Sequence, residues 1–424
     1  MWQFWRSTSR GWRIAMLLAL LWGILRLGLQ VYILLSPMSD QVGVDLKEAY
    51  LVAGRRFLER AALYPHSIEA MEGLYFYAPS FTVFLLPFVW LPEKVATCLW
   101  FALCLAAYGG LFLTWRWIFR FLGLEKAGQA LLLSLPLWIA FSPFWDDATY
   151  LNIYTVMALV GSWLIAAVLQ ERLALGACCL ALILATKPHW AFALALPLLL
   201  GRKRFFWKLL AGALAVYLGL AGVSMALSSP IYILEQYRAY ASFLTHLTQM
   251  HPWRTAADGF LGYNHSIVQV AIFLGGERAR LLGQVVKYLL LLPGGVVLLA
   301  YGGRKSAAPA RREEPLLLAF LLYLMAFLWL DLLWELYLTV AIYPFLLALD
   351  LRRPERTLAA LVFLPYAWLD FWRVMVYALG SPMVNEAYLA WDFSAYLPWI
   401  LLTGLVFYFP LLRRVWLTVR PTVA

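Results

Sequence analysis

The sequence predicts an all-α, polytopic membrane protein of about twelve transmembrane helices (11–13). Hydrophobic residues fill 64% of the 424 positions and charged residues only 13%, whereas a soluble domain is about half apolar and a quarter charged. Apolar runs close to the length that crosses a bilayer as a helix recur along the whole chain. The alternating segments of a membrane β-barrel are not seen. No soluble-type stretch is long enough to make a second domain, so residues 1–424 read as one integral membrane domain. The net charge of +11 fits cytoplasmic loops that collect Lys and Arg better than it fits a nucleic-acid-binding surface.

Taken in order, the first span covers about 12–35, and Arg6, Arg10 and Arg13 before it place the N-terminus in the cytoplasm. No small-residue cleavage site follows, so this run reads as an uncleaved span rather than a signal peptide. The next segment, 36–93, is then external. Within it, residues 47–60 predict a short helix with Leu46, Tyr50, Ala53 and Phe57 on one face, suited to lying on the bilayer surface. The stretch 75–92 is apolar but short and carries Pro79, Pro87 and Pro92. If it crossed, Arg116, Arg120 and Lys126 would lie outside. An interfacial segment keeps the later basic clusters inside. Further spans follow at about 94–118, 128–144, 150–170, 172–186, 188–200, 205–227, 281–301, 315–333, 335–350, 357–379 and 396–417. Thr186-Lys187-Pro188-His189 interrupts the fourth and fifth of these, because proline ends one helix and can start the next. Residues 228–280 form a long external loop and 302–314 a cytoplasmic linker. This topology puts both termini in the cytoplasm of a plasma membrane. All five histidines (His66, His189, His246, His251, His265) fall at the outer side. The four cysteines lie in apolar runs and read as small hydrophobes.

Polar residues stranded near the outer boundary are the candidates for chemistry. Asp40 and Asp45 follow the first span directly. A partly desolvated carboxylate there is basic enough to take a proton from a hydroxyl; the plainer reading of Asp45 is a helix N-cap. Lys187, between two apolar half-helices, suits a lipid phosphate, or it snorkels to the headgroups. Arg254 and Asp258 precede Asn264, His265 and Ser266 in the long loop, a set able to hold sugar hydroxyls or a phosphate. Trp334 and Glu335, after Asp331, suit a sugar stacked on an indole, or an interfacial aromatic belt. Asp146, Asp147 and Asn152 mark another outer turn. Arg373 lies one turn from Asp370, with which it can pair. HExxH, P-loop, GxSxG and CxxC motifs are absent, as is an Asp-rich DxD cluster. No nucleotide-binding domain is visible, so any donor is expected to be membrane-borne, and neither a metal nor a cofactor is expected.

Several stretches, in order, resemble the GT-C glycosyltransferases, and among them glycosyltransferase family 87: DLKEAYLVAGR at 45–55, ALYP at 62–65, YAPSF at 77–81, LALILATKPHWAFALALPLLLGRKR at 180–204, NHSI at 264–267 and WELY at 334–337. The resemblance covers most of the chain and implies a GT-C fold with juxtamembrane helices in the first external loop. It implies a hexosyltransferase that uses a polyprenyl-phosphate sugar, with mannose the expected hexose, and a lipid or glycan acceptor. Transfer would occur at the outer or periplasmic face, with inversion and with an Asp as base. On that pattern Asp45 is the base and Asp40 its reserve. Lys187 faces the donor phosphate, and Tyr77, Asn264, His265, Ser266, Trp334 and Glu335 face sugar or acceptor; Arg254 and Arg373, outside the matching stretches, are expected to join Lys187 at the phosphate as outer-side cations. The implied partners are thus the lipid-linked donor, the acceptor and membrane lipids, and not nucleic acid. YAPSF lacks the doubled proline of relatives, and Leu336 stands where some carry His. The competing expectations are a transporter or lipid flippase, a non-catalytic partner in envelope assembly, and a different lipid-dependent GT-C enzyme of the protein O-mannosyl or aminoarabinose type.

Overall fold

A computed structural model describes residues 5–6, 8–36, 43–64, 75–250, 253–304, 311–378 and 396–419. The described residues are helical throughout, without strands. α1 (Arg10–Leu35) starts on a Ser9 cap whose hydroxyl accepts from Trp12 N. A π-helical turn, Asp45–Tyr50, leads into α2 (Leu51–Glu59). A 3₁₀ turn at Pro79–Phe81 opens α3 (Thr82–Val89). Then come α4 (Glu93–Phe121), α5 (Glu125–Leu133), α6 (Leu135–Ala140), α7 (Ser142–Tyr150), α8 (Tyr154–Gln170) and α9 (Leu173–Thr186). Pro188–Ala195 is a 3₁₀ run that continues as α10 (Leu196–Leu199). α11 (Lys203–Leu227), α12 (Pro230–Met250), α13 (Ile267–Gly275), α14 (Arg280–Gly302), α15 (Glu314–Leu328), α16 (Thr339–Ala348), α17 (Arg353–Ala367), α18 (Leu369–Ala378) and α19 (Trp399–Val419) complete the chain.

Two classes of helix result. α8, α15 and α16 are buried almost all round, as expected of helices that are apolar on every face. α1, α11 and α14 instead expose long aliphatic side chains, among them Leu18, Ile24, Leu218, Leu282 and Leu299. Apolar surface on that scale marks contact with lipid. Five described helices are long and apolar enough to cross a membrane: Arg10–Leu35, Glu93–Phe121, Lys203–Leu227, Glu277–Gly302 and Trp399–Val419. The count is seven if each of two bent pairs is one span, the bends being 51° at Glu125–Leu133 + Leu135–Tyr150 and 41° at Arg353–Ala367 + Leu369–Met375. Six shorter apolar helices carry other apolar runs of the sequence. α9, at 14 residues, reaches about 21 Å against about 30 Å of hydrocarbon. Length and composition therefore mark five to seven candidate crossings among the described residues, with the shorter apolar helices beside them. Pro188 ends one of the shorter helices, Leu173–Thr186.

The first inter-span segment folds inward. Leu46, Tyr50, Ala53 and Phe57 are all buried, and α2 packs on α3. Gly54 makes this approach possible, since a Cβ there would come within 2.4 Å of Val89 Cγ2. Gly43, at φ +76°, donates its N–H to Thr149 O at 2.8 Å and so ties the π-turn to the end of α7. The 75–92 stretch is indeed a short proline-broken helix, Pro79–Val89, and not a long one.

The two charges furthest inside the apolar runs meet each other. Arg26 Nε lies 3.0 Å from Asp370 Oδ2, while its Nη atoms donate to Gln30 Oε1 (2.9 Å) and Thr149 Oγ1 (2.8 Å). Asp370 N donates to Ser142 Oγ at 2.6 Å. Asp370 thus pairs with α1, and Arg373 pairs with Asp146 at 2.7 Å, instead of the local Asp370–Arg373 pair that helical spacing allows. The tertiary arrangement offers each a partner that is nearer or better buried. Replacing Arg26 by Met leaves the Asp370 carboxylate buried and alone. The expected loss is about 3 kcal/mol of stability, partly restored by adding Asp370→Leu. Thermal unfolding of the purified variants in detergent checks this.

Candidate active site

The π-turn presents Asp45 to the interior. The turn begins after Val44, which makes no side-chain cap bond. The Asp45 carboxylate caps nothing either: its Oδ2 accepts from Asn152 Nδ2 at 2.5 Å, and its Oδ1 accepts no hydrogen bond from the described residues. Asn152 is held on its other side. Its Oδ1 accepts from Tyr50 OH (3.1 Å) and from Ile153 N (2.6 Å), and the Tyr50 and Tyr77 hydroxyls are 2.6 Å apart. Leu151, in the left-handed region at φ 54°, makes the turn that aims Asn152 back at Asp45. Burial raises the Asp45 carboxyl above its ordinary range. The Asn152 bond and the charge of Lys187 act the other way, and Glu48 adds to the rise.

Lys187 ends α9 where Pro188 prevents the helix from continuing. It is 8% exposed. Its ammonium sits 5.0 Å from the centre of the Tyr77 ring and 4.2 Å from that of Tyr154, with Tyr154 OH at 3.2 Å. No ion pair forms between Lys187 and a described carboxylate. Lying outside both flanking helices, it is pushed down to about 8 by burial, against the pull of Asp45 and Asp147. Asp147 fixes the far side by accepting from the first free N–H groups of α8, Tyr154 N (3.2 Å) and Thr155 N (2.9 Å). Tyr154 in turn stacks on Tyr337, 5.5 Å away and 9° from parallel. The result is a buried polar cluster that holds a base candidate, a cation without a carboxylate partner, and several tyrosines.

A second polar group adjoins it through Tyr337. Glu335 accepts a short hydrogen bond from Tyr366. Burial, then Asp146, push its carboxyl well up, and the Tyr366 bond and Arg373 oppose this. The Arg373 guanidinium also lies 5.7 Å from the centre of the Tyr263 ring. Trp334 is half-buried in the same non-helical segment.

The structure therefore brings Asp45, Lys187 and Tyr77 together, with Glu335 and Arg373 next door. It does not bring Arg254, which is on the surface against Asp258 (3.6 Å) and Phe260. Asn264, His265 and Ser266 are buried and bonded to backbone. Asn264 Oδ1 accepts from Ser266 N and Leu333 N, and its Nδ2 donates to Asp331 O. His265 Nδ1 accepts from Ile400 N, and Ser266 caps α13. Asp40, His66 and His251 lie outside the described residues. Tyr154 and Tyr337 were given no role by the sequence, which placed Tyr50 only on a helix face and Asn152 only in an outer turn. The signal that could have found Asn152 is the cluster of polar residues at 146–152 in an apolar chain. Among the described residues no group of three or more His, Cys, Asp or Glu could hold a metal ion.

Past Lys187 in the chain, Ala191 and Phe192 line an apolar cavity of about 710 Å³, together with Leu289, Leu292, Met325 and Trp329, among others. No curated protein and no solved structure matches the chain. A sequence model of glycosyltransferase family 87 matches residues 75–333, more than half of the chain, taking in Tyr77, Asn152 and Lys187 but beginning after Asp45. By that match the chain belongs to glycosyltransferase family 87, and it is a membrane glycosyltransferase.

Proposed function

We propose that the chain moves a hexose, with mannose the expected sugar, from a polyprenyl phosphate to a hydroxyl of a lipid or glycan acceptor at the outer face of the plasma membrane. The observation that carries this reading is the buried Lys187 ammonium, free of any ion pair with a described carboxylate, in one polar cluster with Asp45. A buried cation without an anion is costly. A phosphate monoester entering beside it supplies the missing charge. The apolar cavity one turn along, at Ala191 and Phe192, suits the isoprenoid chain of the same donor. In the reaction, Asp45 takes the acceptor's hydroxyl proton on its free oxygen as that hydroxyl attacks the anomeric carbon. The carbon–oxygen bond to phosphate breaks, and the bonding pair leaves with the phosphate. Lys187 balances the charge that develops there. Attack opposite to the leaving group inverts the anomeric centre. Much of the acceleration comes from holding both substrates in line.

The topology of about twelve spans, both termini cytoplasmic and one integral membrane domain, belongs to this reading, with the short helices completing the bundle. Incubating the purified protein with radiolabelled polyprenyl-phosphate mannose and membrane extract is the direct test. A labelled lipid or glycan product is expected. Movement of the donor between leaflets with no covalent product would instead make the protein a flippase.

Asn152 gives a narrower check. Asn152→Ala frees the Asp45 carboxylate to rotate and is expected to lower kcat by about tenfold to a hundredfold. Asn152→Asp sets a second carboxylate against Asp45. Like charges raise the proton affinity of the pair, so the acid limb of kcat/KM moves to higher pH. An unshifted limb would remove Asn152 from contact with the base.

A further inference from the structure

His189 lies two residues past Lys187, on the 3₁₀ run Pro188–Ala195. Its ring meets Phe327 edge-on with centroids 5.0 Å apart and tilts against Trp190 at 6.4 Å. Its Nε2 atom is enclosed and has no hydrogen-bond partner. That is an unusual state for a polar atom, since an enclosed donor or acceptor without a partner forfeits its hydration. The ring also stands at a junction. Lys187, packed on the Tyr77 and Tyr154 rings, precedes it, while Ala191 and Phe192, directly beyond, line the apolar cavity, as does Ala326 beside Phe327. A molecule with an apolar chain in the cavity and an anionic head at Lys187 passes this ring at the link between the two.

We infer that His189 is a second ligand-binding group of this site, whose Nε2–H donates to a phosphate oxygen on the lipid side of the Lys187 ammonium. Lys187 supplies charge without fixing direction, because an ammonium is a compact point donor. A ring wedged between Phe327 and Trp190 supplies direction. Together they favour a phosphate attached to a long apolar chain over free phosphate, which has nothing to place in the cavity. The inference rests on the proposed lipid-phosphate donor and deepens it.

The test measures binding without turnover. Full-length wild type, His189→Phe, His189→Met and His189→Gln are placed in detergent micelles and titrated with polyprenyl phosphate, and separately with inorganic phosphate, while the thermal midpoint is followed. Wild type is expected to be stabilised by polyprenyl phosphate and not by inorganic phosphate at the same concentration. His189→Phe and His189→Met are expected to need about tenfold more lipid for the same shift, and His189→Gln, which keeps a donor, less than that. The two apolar variants differ in shape, so one serves if the other does not fold, as judged by its unliganded midpoint. Wild-type titration curves in both apolar variants overturn the role of His189 and leave the lipid-phosphate reading standing. Absence of any shift in wild type with polyprenyl phosphate overturns both. Equal shifts with inorganic phosphate overturn the role of His189 in selecting a lipid-linked anion.

Discussion

Asp45→Asn is expected to reduce transfer by about 10³-fold or more while leaving the fold intact. Positioned general bases contribute about 10²–10⁴-fold, and here the amide cannot take the acceptor proton at all. The substitution is nearly isosteric, so the change reports chemistry rather than shape. Its stability effect has a definite sign. Burial raises the Asp45 carboxyl above the ordinary value, so the folded state binds that proton more tightly than the unfolded chain does. Stability from this group is then greatest at low pH and declines as pH rises from the ordinary carboxylate value through the raised one. At neutral pH the charged group is a burden that Asn does not impose, so Asp45→Asn should unfold at an equal or higher temperature than wild type. Loss of activity together with a midpoint that does not fall is the signature of a residue kept for function. Near-wild-type transfer in this variant would remove Asp45 from the mechanism.

Which of these features the sequence disclosed follows from the range of the interactions involved. Asp45 and Lys187 were legible because a lone charge beside long apolar runs is costly and therefore conspicuous. Their setting was not. The partner of Asp45 is 107 positions away, and no local periodicity reports such a contact. The cap expected of Asp45 is a local interaction; the π-turn points the carboxylate elsewhere. The Asn264–Ser266 stretch looked like a site because it is polar in apolar surroundings. Irregular backbone inside a bundle has the same need for polar side chains, to satisfy its N–H and C=O groups, and Asn264 spends its amide that way. The membrane class followed from composition alone. The break at Lys187-Pro188 was legible too, since proline ends one helix and starts the next, and it leaves Leu173–Thr186 and Pro188–Leu199 shorter than a bilayer. Arg26 and Asp370 show the same limit as Asp45: each is visible singly, yet their pairing is 344 positions apart.

Lys187 offers the second large effect and a way to separate charge from shape. Lys187→Met keeps most of the stem between Tyr77 and Tyr154 and removes the ammonium. On the proposed mechanism the leaving phosphate would then depart without its counter-charge, and kcat/KM is expected to fall by about 10²–10³-fold, the range seen when one charge-stabilising donor is lost. The pH dependence tests the same claim in the intact protein. Burial brings Lys187 down to about 8, and kcat/KM follows the free enzyme. Activity should therefore decline as pH rises through about 8 and the ammonium loses its proton, while the acid limb reports Asp45. An arginine at this position does not deprotonate in the accessible range. Lys187→Arg should thus flatten the basic limb even where its larger head lowers the absolute rate, and Asn152→Asp should move only the acid limb. A basic limb that persists unchanged in Lys187→Arg would assign it to another group. Burial disfavours the charged form of both Asp45 and Lys187, and each pulls the other back toward its charged state. Neither charge is fully satisfied by the protein alone. On the proposed mechanism, a phosphate beside Lys187 and a hydroxyl beside Asp45 would complete the two sets of contacts at once and so couple the binding of both substrates to the readiness of the base.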